Sequence, residues 1–295
     1  MTELNNIVYL GPESSFSHIC ALEIAKLFPS NKLQSVASIS GIKEFIKNNE
    51  DAFGVFPVEN SLGGSVPETL DGILTQKEDI KVLLEFVLKI DHCLLSFGEK
   101  SKIQEVRAHY QAFNQCENYL NKNFPDCHKQ EFPSNSAAIE SLTKLNLNEQ
   151  KTIASIGSLE AAKKFNIPVL EKQINDSSEN YTRFWLIGRE SSFNINQKSE
   201  QNLCSLAFRI PRDEPGGLMK VLETFASRQI NLTKIESRPT KGRLCEYTFF
   251  IDFLAPIDWD FQKGQILNIV GSVCSYARFL GYYPVFPAGD NRFES

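Results

Sequence analysis

Three short segments of the chain carry residue choices that suit chemistry as well as scaffolding. The first is Val58-Glu59-Asn60-Ser61-Leu62-Gly63-Gly64-Ser65-Val66-Pro67-Glu68. An apolar run ends in a polar triplet and two glycines permit a tight turn. Ser65 then stands three residues before Glu68, with Pro67 in the first turn, the pattern of a capping box. A helix start offers unpaired N–H groups and the positive end of a dipole, a berth for a carboxylate. A capped helix behind a polar loop accounts for the same letters equally well. The second segment, Asn180-Tyr181-Thr182-Arg183-Phe184-Trp185-Leu186-Ile187-Gly188, reads as a strand with a polar start. Alternation puts Thr182 and Phe184 on one face and Arg183 and Trp185 on the other. Thr182 can donate a hydrogen bond to a substrate oxygen, although a strand-starting threonine needs no function. Arg183 points away from it and suits a structural salt bridge. The third pairs Pro215-Gly216-Gly217-Leu218-Met219 with Ile235-Glu236-Ser237-Arg238-Pro239. Glycines at a helix start let a ligand reach backbone amides, or let the helix pack tightly on a sheet. G-x-G-x-x-G, Walker and G-x-S-x-G patterns are absent.

The elements that must hold these segments alternate between strand and helix. Strands are expected at 6–10, 52–58, 82–97, 104–109, 152–155 and 182–188. Helices are expected after Ser17 and at 67–75, 111–122, 135–145 and 157–165. That order indicates α/β architecture with largely parallel sheets. The polar, aperiodic run 191–201 reads as a linker. Beyond it come a strand at 203–210, a helix at 215–228, strands at 231–238 and 244–254, a helix near 258–276 and a strand near 279–283. This β-α-β-β-α-β order is the ferredoxin-like arrangement.

Composition narrows the chemistry. The 295 residues are 42% hydrophobic and carry a net charge of −5, and no basic stripe is present to bind nucleic acid. No apolar stretch approaches the roughly 20 residues of a membrane span, and the first residues lack a signal-peptide pattern. Seven cysteines, without C-x-x-C spacing, fit reduced thiols in a cytoplasmic protein. The adjacent His92-Cys93 is the one pair with metal-ligand chemistry, and it reads better as part of a strand. No cofactor or metal is expected.

Taken together the segments resemble the prephenate dehydratase family followed by an ACT domain, over nearly the whole chain. Gly11-Pro12-Glu13-Ser14-Ser15-Phe16-Ser17 is similar to the family's opening G-P-x-G-T-F-[ST], and Gly54 to Ser61 to its G-x-x-P-[IV]-E-N-[ST]. His109 to Cys116 resembles H-P-Q-x-x-x-Q-C, keeping Gln111, Gln115 and Cys116. Thr182-Arg183-Phe184 matches T-R-F, and Glu236-Ser237-Arg238-Pro239 matches the E-S-R-P of the regulatory domain. Tyr110 stands where the family has proline, and Ala108 where many members have serine.

The resemblance implies a two-lobed α/β catalytic domain like periplasmic binding proteins, over 5–190, with the second lobe at about 80–170. The linker 191–201 and an ACT domain over 202–290 follow. It implies loss of CO2 and hydroxide from prephenate to give phenylpyruvate in phenylalanine biosynthesis. Thr182, Asn60, Ser61 and Gln115 are the catalytic candidates it points to, with Ser15, Phe16, Glu59, Arg183 and Phe184 around the substrate. L-phenylalanine is expected to bind at Gly216, Gly217, Leu218, Met219, Glu236, Ser237, Arg238 and Pro239 and to regulate a homodimer or homotetramer. A single activity is expected, since no chorismate mutase helix precedes the first strand. The rivals are an arogenate dehydratase, which takes an amino in place of the keto side chain, and a non-catalytic amino-acid sensor on the same fold. Retention of Asn60, Gln115 and Thr182 argues against the sensor.

Overall fold

Ile7, Val8 and Tyr9 are buried because the strand that carries them, β1 (Asn5–Leu10), lies inside a sheet covered by helices. The computed structural model describes residues 5–28, 31–193, 201–211, 215–240 and 245–287. Contacts divide the chain into two units, Met1–Leu74 with Val87–Phe184, and Thr75–Phe86 with Trp185–Ser295. The linker expected over 191–201 falls largely outside the described residues, and the division runs instead through two strands.

Unit 1 holds two lobes. In the first, β1 is followed by α1 (Phe16–Ala25), β2 (Asn31–Val36), α2 (Ile39–Asn48), β3 (Ala52–Asn60), the two-residue β4 (Gly64–Ser65) and α3 (Pro67–Leu74). β1 pairs in parallel with both β2 and β3. Helix α1 starts two residues earlier than the sequence pattern indicates, because Ser15, not Ser17, is the N-cap. Ser65 is not a cap either. It pairs with Glu59 as part of β4, and α3 begins two residues later at Pro67, so the expected capping box is not formed. Helix α2 escapes the sequence reading, although Ile39, Ile42 and Ile46 make a buried helical face behind the N-cap Ser38.

The chain continues through β5 (Ile80–Lys89) into the second lobe. There β6 (Cys93–Leu95), β7 (Glu105–Ala108), α4 (Tyr110–Gln115), α5 (Glu117–Asn123), β8 (His128–Glu131), α6 (Asn135–Thr143), α7 (Leu147–Gln150), β9 (Ile153–Gly157), α8 (Leu159–Phe165) and β10 (Val169–Glu171) follow in order. Their five strands run β10-β6-β9-β7-β8. Phe113 and Leu120 of the α4–α5 pair are buried with Val106, Ala154 and Ile156. Ile139 and Leu142 of α6 and Ala161 and Ala162 of α8 form a second cluster with Cys93, Leu95 and Ile153. The helix expected over 111–122 is two helices. Cys116 has φ −125° and ψ 20°, and α5 restarts where the Asp176 carboxylate accepts from the N–H groups of Asn118 and Tyr119 at 2.9 and 3.1 Å. From Tyr181 the chain returns as β11 (Tyr181–Arg189), next to β3 in the first sheet.

Unit 2 is built on β12 (Asn202–Arg209), α9 (Gly217–Ala226), β13 (Leu232–Pro239), β14 (Tyr247–Leu254), α10 (Trp259–Val273) and β15 (Tyr276–Phe286). Strand order is β13-β14-β12-β15, with the β5 segment of this unit on β15. The ferredoxin-like order of elements is therefore present, with antiparallel pairing throughout its four strands. Val221 and Phe225 of α9 and Ile266 and Val270 of α10 are buried with Leu206, Phe208 and Phe253 of the sheet. The turn expected at 239–242 lies partly outside the described residues.

The glycine pair at the start of α9 is demanded by geometry. Gly216 is the N-cap with φ 81°, in the left-handed region, and, its chain neighbours aside, no described residue comes within 4 Å of where its Cβ would stand. A Cβ on Gly217 would come 2.2 Å from Cγ2 of Ile210. Gly217→Ala should therefore lower unfolding stability by about 1–3 kcal/mol, and Gly216→Ala by roughly 1 kcal/mol through backbone strain. Denaturant titration of the two variants measures both.

Candidate active site

Within unit 1, four helix starts face one cavity of about 340 Å³. They are the first turn of α1 (Ser15, Phe16 and Ser17), the residue before α3 (Val66), the N-cap and first turn of α4 (His109 and Gln111), and Asn135 at the head of α6. The remaining walls include Pro57, Asn60, His92, Gln115, Thr182 and Phe184. No Lys, Arg, Asp or Glu is among the described lining residues. The volume falls in the range of small-molecule sites, roughly 300–1,000 Å³. A groove lined by Leu62, Tyr110, Asn114 and Asp176 shares Gly63, Gln111 and Gln115 with the cavity, and Tyr110 is half exposed there.

Strand geometry explains which polar groups reach the cavity. On β11, Thr182 and Phe184 line it and Arg183 does not, as period-two alternation requires. Arg183 instead donates to the Glu59 carboxylate at 2.8 Å. Both were expected around the substrate, and neither lines the cavity. The pair ties β3 to β11 beside Asn60 and Thr182. Ser61 is likewise spent on the scaffold. Its hydroxyl donates to the Glu179 carbonyl at 2.7 Å and accepts from the Tyr181 N–H at 3.0 Å. Ser15 and Phe16 both line the cavity, Ser15 as the N-cap that accepts from the His18 N–H at 3.2 Å.

The polar residues are joined edge to edge. Asn60 Oδ1 accepts from the N–H groups of Leu62 and Gly63 at 3.1 and 2.8 Å. Its Nδ2 has two hydrogens for three acceptors, Asn180 Oδ1 at 2.8 Å, the Tyr181 carbonyl at 3.0 Å and Thr182 Oγ1 at 3.0 Å, so one hydrogen is shared between two of them. Asn180 Nδ2 donates to Gln115 Oε1 at 3.1 Å. The same oxygen lies 2.8 Å from His92 Nε2. Gln115 is the last residue of α4, and its carbonyl accepts from the Asp176 N–H at 2.9 Å, so the helix break is what fixes it. Because Thr182 Oγ1 accepts from Asn60, its own hydrogen is free to point elsewhere.

Sequence reasoning missed Asn180, His92, His109, Gln111 and Asn135 as neighbours of the site. Asn180 is 1% exposed and links β11 to α4. Asn135 Oδ1 accepts from the His109 N–H at 2.8 Å. Of the regulatory candidates, Gly216 and Gly217 head α9, Leu218 packs partly against the unit 2 core, and Met219 is exposed. Glu236 and Arg238 alternate with the exposed Ser237 and Pro239 along β13, the end strand of its sheet. Glu236 pairs with Lys234 at 3.1 Å.

Residues 7–192 match the family described as Prephenate dehydratase, and 205–258 match the ACT domain. A prephenate dehydratase of Methanocaldococcus jannaschii is 36% identical over 95% of this chain and 98% of its own. One of Lactococcus lactis subsp. cremoris is 35% identical over 96% and 99%. Among solved structures, the prephenate dehydratase of Arthrobacter aurescens in complex with L-Phe superposes with a TM-score of 0.80 at 27% identity, covering 95% of this chain and 90% of that one. The enzyme of Staphylococcus aureus gives 0.76 at 25% identity, with 94% and 99% covered.

Burial lowers the pKa of His92, against the opposing effect of its Gln115 hydrogen bond, and also lowers those of His18 and His109. The folded chain keeps these imidazoles neutral below the ordinary value of 6.5, where the unfolded chain takes up protons. Stability is thus fully present above 6.5 and is lost as pH falls below it. The denaturant midpoint should drop between about pH 7 and pH 5, with a shallower slope in His92→Phe.

Proposed function

The chain belongs to the prephenate dehydratase family, and from that premise we propose that the uncharged cavity of unit 1 binds prephenate and expels its ring carboxylate and hydroxyl. The family is one of carbon–oxygen lyases. As the ring carboxylate leaves as CO2, its bonding electrons enter the ring and the C–OH bond breaks. The departing hydroxide takes a proton and becomes water, and phenylpyruvate remains. Aromatisation supplies the driving force, so the protein has to hold the substrate and assist the leaving hydroxyl.

The observation that carries this reading is the hydrogen bond from Asn60 Nδ2 to Thr182 Oγ1. It occupies a lone pair of the threonine oxygen and leaves the hydroxyl hydrogen for an acceptor in the cavity. A threonine is a weak acid, so its contribution is a preorganised donor whose bond strengthens as charge grows on the leaving oxygen. Gln115 supplies an amide from the second lobe, and the four helix starts supply N–H groups for the carboxylates. Phe16 and Phe184 give the ring an apolar seat.

The direct test is turnover of prephenate and arogenate by the purified protein, and prephenate should be much the better substrate. Thr182→Ala should lower kcat about a hundredfold or more with little change in KM, and Thr182→Ser should keep more activity. Equal losses in both variants, with folding intact, would remove the donor role. Asn60→Ala should raise KM and lower kcat together, since orientation and binding are lost at once.

The ACT-like order of unit 2 supports a regulatory role, and the Arthrobacter relative was solved with L-Phe. We read the N–H groups near Gly216 and Gly217 as the berth for the carboxylate of L-phenylalanine, with the pocket completed by pairing of two copies of the chain. Glu236→Ala and Ser237→Ala should weaken phenylalanine inhibition about tenfold or more while leaving the uninhibited kcat near its original value. Calorimetry that finds no phenylalanine binding to the intact protein would leave unit 2 as an assembly module.

A further inference from the structure

The polar chain around Asn60 has a direction, and that direction starts at two backbone amides. The N–H groups of Leu62 and Gly63 can only donate, so the Asn60 atom facing them at 3.1 and 2.8 Å is oxygen. Its nitrogen therefore faces Asn180, and the Tyr181 carbonyl at 3.0 Å, an obligate acceptor, requires the same assignment. Asn180 must then offer Oδ1 to Asn60 and Nδ2 to Gln115. Gln115 must offer Oε1, and the imidazole nitrogen 2.8 Å from that oxygen must carry a hydrogen. Each orientation follows from the one before it.

His92, which the reaction scheme has not used, and Gln115, which it has, are both fixed by this order. His92 is the Nε2–H tautomer. Its Nδ1 is a bare lone pair without a hydrogen-bond partner in a side chain 2% exposed, with the Phe16 ring edge-on at 5.4 Å. A second proton would sit on that nitrogen unsatisfied, which holds the ring in its neutral form. Gln115, in turn, has its oxygen occupied twice, so its NH2 is the end left for the cavity that it lines.

We infer that His92 is a positioning residue: its Nε2–H anchors the Gln115 oxygen and turns the Gln115 NH2 toward bound substrate as a donor to a carboxylate or the leaving hydroxyl. This rests on the reading of the cavity as the prephenate site. His92 touches no reacting atom in this scheme and acts through Gln115 alone. Removing it would leave the Gln115 oxygen held by the Asn180 donor alone at 3.1 Å, a weaker hold on an amide whose rotation would present its oxygen to an anion, which is repulsive.

The test has two arms. In the intact wild-type protein, the 15N spectrum of labelled histidine should show the His92 resonances, identified by their loss in His92→Phe, as the neutral Nε2–H tautomer. An Nδ1–H tautomer overturns the inference without any kinetic measurement. The second arm is a double-mutant cycle on prephenate turnover. His92→Phe should lower kcat/KM about tenfold in the wild type and should cost nothing more in a Gln115→Leu background. His92→Gln, which restores an N–H donor, should recover part of the loss. Losses that multiply across the two sites overturn the inference, because a merely structural histidine would add its cost in either background. If Gln115→Leu alone leaves kcat/KM unchanged, Gln115 is no substrate contact and the inference falls with it, while the Thr182 dependence still decides the reaction. If the wild type turns over no prephenate, the reaction reading fails, and the tautomer remains to be judged by the spectrum.

Discussion

The geometry of the cavity depends on which way the amide of Asn60 faces. Two N–H groups of the loop just after β3 hold its oxygen, and its nitrogen is thereby committed to Thr182, Asn180 and the Tyr181 carbonyl. The loop can hold it because Asn60 ends β3 and the chain doubles back through β4 onto the same strand. The β11 side is held in turn by the Arg183–Glu59 ion pair and by the two hydrogen bonds of the Ser61 hydroxyl. The polar triplet at the end of β3 thus divides its labour. Glu59 and Ser61 fix the neighbouring strand, and Asn60 between them reaches the cavity.

That division also marks how far the sequence could be read. Alternation along β11 separates Thr182 and Phe184 from Arg183 correctly, because a strand's period of two is rigid. The roles of Glu59 and Ser61 were not legible. Their partners, Arg183, Glu179 and Tyr181, lie about 120 positions away, and no local pattern encodes such a pairing. Asn180 and His92 were missed for the same reason, since the first reads as the polar start of a strand and the second as a residue within one. The break between α4 and α5 is a tertiary effect of Asp176, which caps α5 from outside the helical segment. Periodicity carried across 111–122 without a proline or glycine to interrupt it, so a single helix was the natural expectation. The supposed capping box failed because Ser65 found a strand partner in Glu59 before the helix began.

In unit 2 the sequence reading left open whether the glycines at the start of α9 serve a ligand or packing. The two residues answer differently. Gly217 is required by the close approach of Ile210, whatever else happens there. Among the described residues Gly216 has nothing within reach of a Cβ, and its positive φ is what calls for glycine. A conformation of that kind at a helix N-cap is what leaves the first amides uncovered by a side chain. The packing glycine and the open glycine are adjacent, so the helix is pressed onto its sheet at the same point where its N-terminus stays accessible.

Among the described residues no Lys, Arg, Asp or Glu lines the unit 1 cavity, which has a chemical consequence for the proposed reaction. A dianion arriving in such a site meets only dipoles, and four helix starts together can hold it without an arginine or lysine. A cation placed against the ring carboxylate would favour the very charge that has to disappear as CO2 leaves, and would raise the barrier by stabilising the ground state. Neutral donors impose a smaller penalty, since a carboxylate held by amides loses less on conversion to CO2 than one paired with a guanidinium. The leaving hydroxyl has the opposite need. Charge grows on it as the C–O bond breaks, and a donor fixed beforehand gains strength at that moment without having to reorient. On the proposed reading, a threonine hydroxyl held by one asparagine, in a cavity that offers the carboxylates dipoles and no countercharge, would satisfy both demands. The sole arginine of the T-R-F signature, Arg183, is withdrawn to the far face of its strand and paired with Glu59, where, in the proposed reaction, it would stiffen the site without stabilising the group that must leave.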